Sequence, residues 1–318
     1  MVILPVNGYI NRIQAVASAA VLASELGSEL IVCWEVEDVA GSPASEVFSP
    51  EFCAAWVRDR SAIETQLGIS LSSLPRYLHV DPEHRLVSLA GNDRGEQHFM
   101  AELAQTIDTH PECDTLVLIA GGNFSLLDRA DGSPVTPQQA IEQRGAWYRA
   151  CAFNPMIEAA AEQACAQHRP FSALHLRYTD RAHQAPSQQS IRAALQALRQ
   201  RASSDALFVA SDTSASRDRW MQESRAMGFE PWTLEHAPVD RAESTSAHAA
   251  LIDWRILGSS EATVYFASSS FAHEAAVASG NLDACIALQP DPVNALSAKA
   301  RELGRALVTY PRRHGWLG

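Results

Sequence analysis

A single lysine, Lys299, stands among the 25 basic residues of this 318-residue chain, and the rest are arginine. Acids outnumber bases 37 to 25, for a formal charge of −12. A broad cationic surface for nucleic-acid phosphates is therefore excluded, because such contacts need clustered cations. Isolated arginines remain well suited to a small phosphorylated ligand. The six cysteines are scattered, with no C-x-x-C pair, so zinc-site spacing and a disulfide framework are both missing. No stretch approaches the ~18–20 apolar residues of a membrane span, and the opening Met1–Val6 carries no basic residue ahead of its apolar run. These absences predict a soluble cytoplasmic protein in a reducing compartment.

Several chemistries are missing as well. No D-x-D occurs, the acid pair that holds a divalent metal in many sugar-nucleotide enzymes. H-E-x-x-H, G-x-S-x-G, the Walker loop and G-x-G-x-x-G are also absent. The 11 histidines show no metal-ligand spacing, so neither a metal nor a bound cofactor is expected.

What is present is an alternating α/β pattern. Apolar residues make up 47% of the chain, enough for real cores, and the length fits two domains. Val2–Val6 reads as a strand broken by Asn7-Gly8. Ile13, Val16, Ala17, Ala20, Val21 and Leu26 recur at helical spacing up to Gly27, and a second strand follows at Leu30–Trp34. This is a βαβ unit, which implies a parallel sheet. Signals weaken between Glu35 and Thr115, with helical patches near Phe52–Val57 and Gln97–Ile107 and strands near Tyr77–Val80 and Arg85–Leu89. Thr115–Ala120 is a clear strand ending at Gly121-Gly122, and Asp128–Pro137 reads as a surface loop. Farther on, strands at 171–177, 206–211, 229–234, 262–267 and 284–288 alternate with helices near 187–202, 214–227, 245–258, 271–279 and 293–306. Such alternation predicts a doubly wound domain, with the domain break at residue 155.

Ligands of open parallel sheets bind beyond the carboxyl ends of the strands. There the sequence offers His175-Leu-Arg177-Tyr-Thr-Asp180, whose His175 and Arg177 share one strand face. A structural ion pair between Arg177 and Asp180 explains the spacing equally well. Ser268-Ser269-Ser270-Phe271 opens a helix, either as a phosphate site or as a simple N-cap. Ser211-Asp212-Thr213 either binds a ribose or base or caps the helix that follows at 214, the latter being favoured. Asp253 interrupts the apolar stripe of Leu251, Ile252, Ile256 and Leu257.

Taken in order, these stretches resemble the fucosyltransferase superfamily of α-1,2, α-1,6 and protein O-fucosyltransferases. Gly8-Tyr-Ile-Asn11-Arg12 resembles its N-terminal G-x-x-N-[RQ] turn, and His175 to Asp180 its H-x-R-x-x-D motif. Leu207–Asp212 is similar to its second motif, and Asp253–Gly258 with Ser269-Ser270-Phe271 to its third. The resemblance implies a GT-B-like α/β architecture, two Rossmann-like domains facing across a cleft, with residues 1–155 on the acceptor side and 156–318 on the donor side. It implies inverting, metal-independent transfer of fucose from GDP-fucose to a hydroxyl of a glycan or small-molecule acceptor. Arg177 would contact the β-phosphate and glycosidic oxygen. Ser269, Ser270 and Phe271 would hold the pyrophosphate, His175 and Asp253 the guanosine end, and Gly8 and Asn11 would close the cleft. Asp180 and Asp212 join the donor-binding set through their motifs. Relatives often carry a second arginine where this chain has Tyr178, which keeps open another nucleotide-sugar donor or a non-catalytic binding protein. The general base is open too, with Glu35, Glu37 and Asp38 as candidates by position.

Overall fold

A computed structural model describes residues 1–37, 40–75, 77–90, 103, 105–124, 136–179, 184–234 and 244–292. Asp38, Asp180, the expected helix at 293–306, and most of the 97–107 helix and of the 128–137 loop lie outside the described residues.

The chain builds two five-stranded sheets. The first runs in the order β2-β1-β5-β4-β3, from β1 (Val2–Pro5), β2 (Ile31–Val32), β3 (His79–Asp81), β4 (Leu86–Ala90) and β5 (Thr115–Ala120). All its pairs are parallel except β3 with β4. The second runs β10-β9-β6-β7-β8, entirely parallel, from β6 (Ser172–Leu176), β7 (Ala206–Ser211), β8 (Glu230–Trp232), β9 (Thr263–Phe266) and β10 (Ile286–Leu288).

Local chemistry sets the helix ends. Helix α1 (Tyr9–Glu25) closes in a Schellman turn, with Gly27 at φ 60°, its N–H bonded to the Ser24 carbonyl and the Ser28 N–H to that of Ala23. Short helices α2 (Ala44–Val47), α3 (Pro50–Trp56) and α4 (Arg60–Leu67) follow β2. Helix α5 (Pro137–Ala150) starts in a reciprocal capping box between Thr136 and Gln139, and α6 (Pro155–Ala166) in an Asn154 cap. In the second half come α7 (Gln188–Arg201), α8 (Ser214–Ala226), α9 (Ser244–Leu257) and α10 (Ser270–Ser279). The Ile191, Ala194, Leu195 and Leu198 stripe of α7 is buried in a core with Leu174, Leu176, Leu207, Val209, Trp220 and Phe266.

Contacts divide the chain into two units: 1–167 with 239–259 and 277–280, and 168–238 with 260–276 and 281–318. The division differs from a single break at 155. Helix α6 belongs to the first unit, and α9 returns to it to pack on α6, where Arg255 pairs with Glu158 and Trp254 lies 5.4 Å from the Tyr148 ring. A linear sequence reading has no means of seeing a helix rejoin an earlier unit. Among the described residues no helix is long and apolar enough to cross a membrane.

Candidate functional site

The second sheet reverses its winding between β6 and β9, since β7 and β8 lie on one side and β10 on the other. Such a switch point opens a crevice at the strands' carboxyl ends. His175 lies there, paired in register with Tyr265, and its ring stacks on Phe271 at 5.1 Å and 22°. The imidazole is 6% exposed, and its buried Nδ1 has no hydrogen-bond partner. Burial pushes its pKa down to about 4, with Asp212 pulling it up and Arg177 pushing it down. The ring is therefore neutral around pH 7. Arg177, half-buried at the end of the same strand, supplies the crevice with a cation.

The serine run divides its labour. Ser269 is fully buried and caps α10, its hydroxyl accepting from the Ala272 N–H at 3.4 Å and its carbonyl from His273 N–H at 3.0 Å. Its hydroxyl therefore does the capping job that sequence alone left open. Ser270 and Phe271 form the first turn of the helix, where backbone N–H groups carry the positive end of the dipole. Phe271, Ser270, His175 and Arg177 thus gather at one switch point from segments about a hundred residues apart.

Asp212 has a definite structural role. Its carboxylate accepts from the N–H groups of Tyr178 (2.9 and 3.0 Å) and Thr179 (2.9 Å) and from the Thr179 hydroxyl at 2.6 Å. It tethers the loop after β6, while Thr213 of the same segment caps α8 by accepting from Ser216 N–H, the role favoured for that segment. The neighbouring Tyr178 ring packs edge-on against Phe266 at 5.3 Å and joins the core. That side chain serves packing.

In the first sheet β1 and β5 are neighbours, and the turns that follow them lie side by side. The turn after β1 holds Asn7 at φ 71° and Gly8 at the N-cap of α1, while Gly122 N–H bonds the Asn11 carbonyl at 3.2 Å. Gly8 has φ −70° and open space where a Cβ would stand, so the backbone does not demand glycine there. Gly121, which sequence reading registered only as a strand terminus, is the constrained one: a Cβ would meet Asn7 Nδ2 at 2.3 Å and the Val6 carbonyl at 2.7 Å. The double glycine after a buried strand was the available signal. Arg12 was likewise quoted only as part of a motif. Its guanidinium is wholly buried, donating from Nε to the Asn7 carbonyl (2.8 Å), from Nη1 to the Glu35 carbonyl and from Nη2 to Glu37 Oε2 (2.6 Å).

Asp253 is half-buried on α9 and belongs to the first unit, not to the C-terminal domain in which the sequence had placed it. Among the described residues no group of three or more His, Cys, Asp or Glu side chains could hold a metal ion.

Comparison with known proteins bears on this geometry. No protein-family model matches the sequence, and no curated protein matches it. Solved structures do. NodZ alpha-1,6-fucosyltransferase co-crystallized with GDP aligns at 15% identity over 86% of this chain and 90% of its own, with a TM-score of 0.54. NodZ from Bradyrhizobium gives the same identity and TM-score, over 86% of this chain and 91% of its own. An Arabidopsis thaliana FUT1 mutant in complex with GDP aligns at 15% over 88% of this chain and 68% of its own, TM-score 0.61. POFUT1 in complex with GDP-fucose aligns at 14% over 91% and 95%, TM-score 0.50. The two parallel-rich sheets are thus the GT-B-type α/β fold of solved fucosyltransferases.

Proposed function

We propose that this protein is an inverting, metal-independent glycosyltransferase that moves fucose from GDP-fucose to a hydroxyl of a glycan or small-molecule acceptor in the cytoplasm. The observation that carries the reading is the meeting of Arg177, the His175–Phe271 stack and the α10 N-terminus at the switch point of the second sheet. The ordered sequence motifs and the fold shared with structures holding GDP or GDP-fucose support it.

Breaking the sugar–phosphate bond leaves negative charge on the departing β-phosphate. Preorganised donors in a water-poor crevice stabilise such charge far better than bulk water does. Arg177 supplies a full cation, and the first-turn amides at Ser270 and Phe271 supply aligned dipoles. The second unit is the donor side and the first the acceptor side. Attack by the acceptor hydroxyl on the face opposite the leaving phosphate inverts C1.

A second reading keeps the fold and changes the donor sugar or base. It is favoured by Tyr178, whose ring joins the core and adds no charge to the crevice.

A thermal-shift panel of GDP, UDP, dTDP and ADP, repeated on Arg177→Ala, tests both. Ligand at a hundredfold its dissociation constant stabilises by about 2.7 kcal/mol, which raises Tm by roughly 5–10 °C for domains of this size. The expected result is a shift with GDP alone that Arg177→Ala abolishes, together with GDP release from GDP-fucose by the wild type. A shift with another nucleotide alone discards fucose, and no shift with any nucleotide discards the reading. Binding without GDP release leaves a non-catalytic binder.

A further inference from the structure

Helix α10 brings its first turn to the crevice of the second sheet, and its small side chains leave open what fixes that turn in place. Within the second unit its buried residues are Ala272, Glu274, Ala275 and Ala276. Alanines let a helix lie close to a sheet, but they offer no projecting side chain to key its rotation or its position along the axis. The two larger rings of the first turn have partners on the sheet instead. Phe271 stacks on His175 of β6, and His273 Nδ1 lies 3.1 Å from the Tyr265 hydroxyl of β9. His175 and Tyr265 are partners in register on adjacent parallel strands, so their side chains leave the same face of the sheet side by side.

The two contacts differ in kind. Offset rings tolerate sliding, whereas a hydrogen bond weakens steeply once its length or angle departs from the optimum. The Tyr265 contact is therefore the directional one. Its side chain is 3% exposed and packs with Ala272, Ala276, Leu282 and Cys285. Burial pushes the phenol's pKa up to about 12, so the hydroxyl keeps its proton and donates it to His273. A phenylalanine would fill the same space in this cluster without needing an acceptor. The hydroxyl adds a fixed link from the strand to one residue of the helix's first turn. The backbone N–H groups of that turn need such a link, because hydrogen bonds to phosphate oxygens hold only at separations near ~3 Å.

We propose that Tyr265 is a positioning residue: through His273 it fixes the first turn of α10, and with it the N–H groups that hold the donor's pyrophosphate. The inference rests on the fucosyl-transfer reading above. Tyr265, His273, His175 and Phe271 all belong to the second unit.

The test measures GDP binding to the full chain by calorimetry, whose stoichiometry counts the folded molecules. Tyr265→Phe keeps the ring and removes the hydroxyl, and GDP affinity falls roughly fivefold, the weight of one ordinary hydrogen bond. His273→Ala loses as much, and the double variant loses no more than either alone, since both delete one contact. His273→Asn returns an acceptor oxygen close to the place of Nδ1 and brings affinity back to within about twofold of wild type. A hydroxyl that served stability alone would lower Tm and leave GDP affinity as it was. The inference is overturned, with the proposed function standing, if folded Tyr265→Phe binds GDP within about twofold of wild type or if the two losses multiply in the double variant. Should Tyr265→Phe give no cooperative melt, equal GDP affinity in His273→Ala and His273→Asn overturns it. A wild type that binds no GDP removes both.

Discussion

The buried imidazole at the switch point of the second sheet makes stability depend on pH in a calculable way. His175 has a pKa of about 4 in the folded protein against 6.5 for an unperturbed imidazole, chiefly through desolvation. A depressed histidine pKa means that the unfolded chain takes up a proton more readily than the folded one. Its contribution is therefore intact above pH 6.5, is lost as pH falls from 6.5 to 4, and levels off below. At about 1.4 kcal/mol per unit, the loss totals about 3 kcal/mol, or roughly 6–12 °C in Tm for a domain of this size. Carboxylates titrate in the same window, so the variant His175→Phe serves as the comparison, keeping an aromatic ring against Phe271. Thermal melts at intervals from pH 7.5 to 4 should show the wild type losing about 3 kcal/mol more than His175→Phe. Parallel curves would refute the claim that a neutral, desolvated ring occupies this position. Protonation would also add a second cation beside Arg177, so GDP affinity should hold steady from pH 7.5 to 5.5 in the wild type.

Other outcomes follow from the loops. Gly121→Ala drives a Cβ into Asn7 and the Val6 carbonyl and should cost about 1–3 kcal/mol in denaturant unfolding. Gly8→Ala meets nothing within 4 Å at an ordinary φ, so its unfolding free energy should stay within about 0.5 kcal/mol of wild type; equal losses in the two variants would contradict this geometry. Asp212→Ala strands the N–H groups of Tyr178 and Thr179 and should cost about 1–3 kcal/mol. Asp212→Asn keeps an acceptor oxygen and should lose less, and each loss should be mirrored in a smaller GDP shift because the tethered loop follows Arg177.

Where an element buries one clean stripe, the sequence reveals it. The central strands β6, β7 and β9 of the second sheet are buried on both faces, and α7 repeats Ile191, Ala194, Leu195, Leu198 at helical spacing, so both were legible. Helices α4, α5 and α6 show the opposite case. Helix α4 buries only Ile63 and α5 buries Arg144, Gly145 and Tyr148, leaving no apolar period to follow, while α6 buries Ile157, Ala161 and Cys165, a four-residue period carried mostly by small side chains. The Thr136–Gln139 capping box was the readable mark of α5.

The sequence by itself determined the α/β alternation, the carboxyl-end motifs, and the predominance of arginine over lysine among the basic residues. These are properties of short segments, set by periodicity and local chemistry. Only the tertiary structure decided which side chain meets which partner: Glu37 on Arg12, Asp212 on the loop after β6, Phe271 on His175. Each joins residues tens of positions apart, and such contacts exist only once parallel strands have been brought into register. Tertiary packing also returned Asp253 to the first unit and left Gly121 without room for a Cβ.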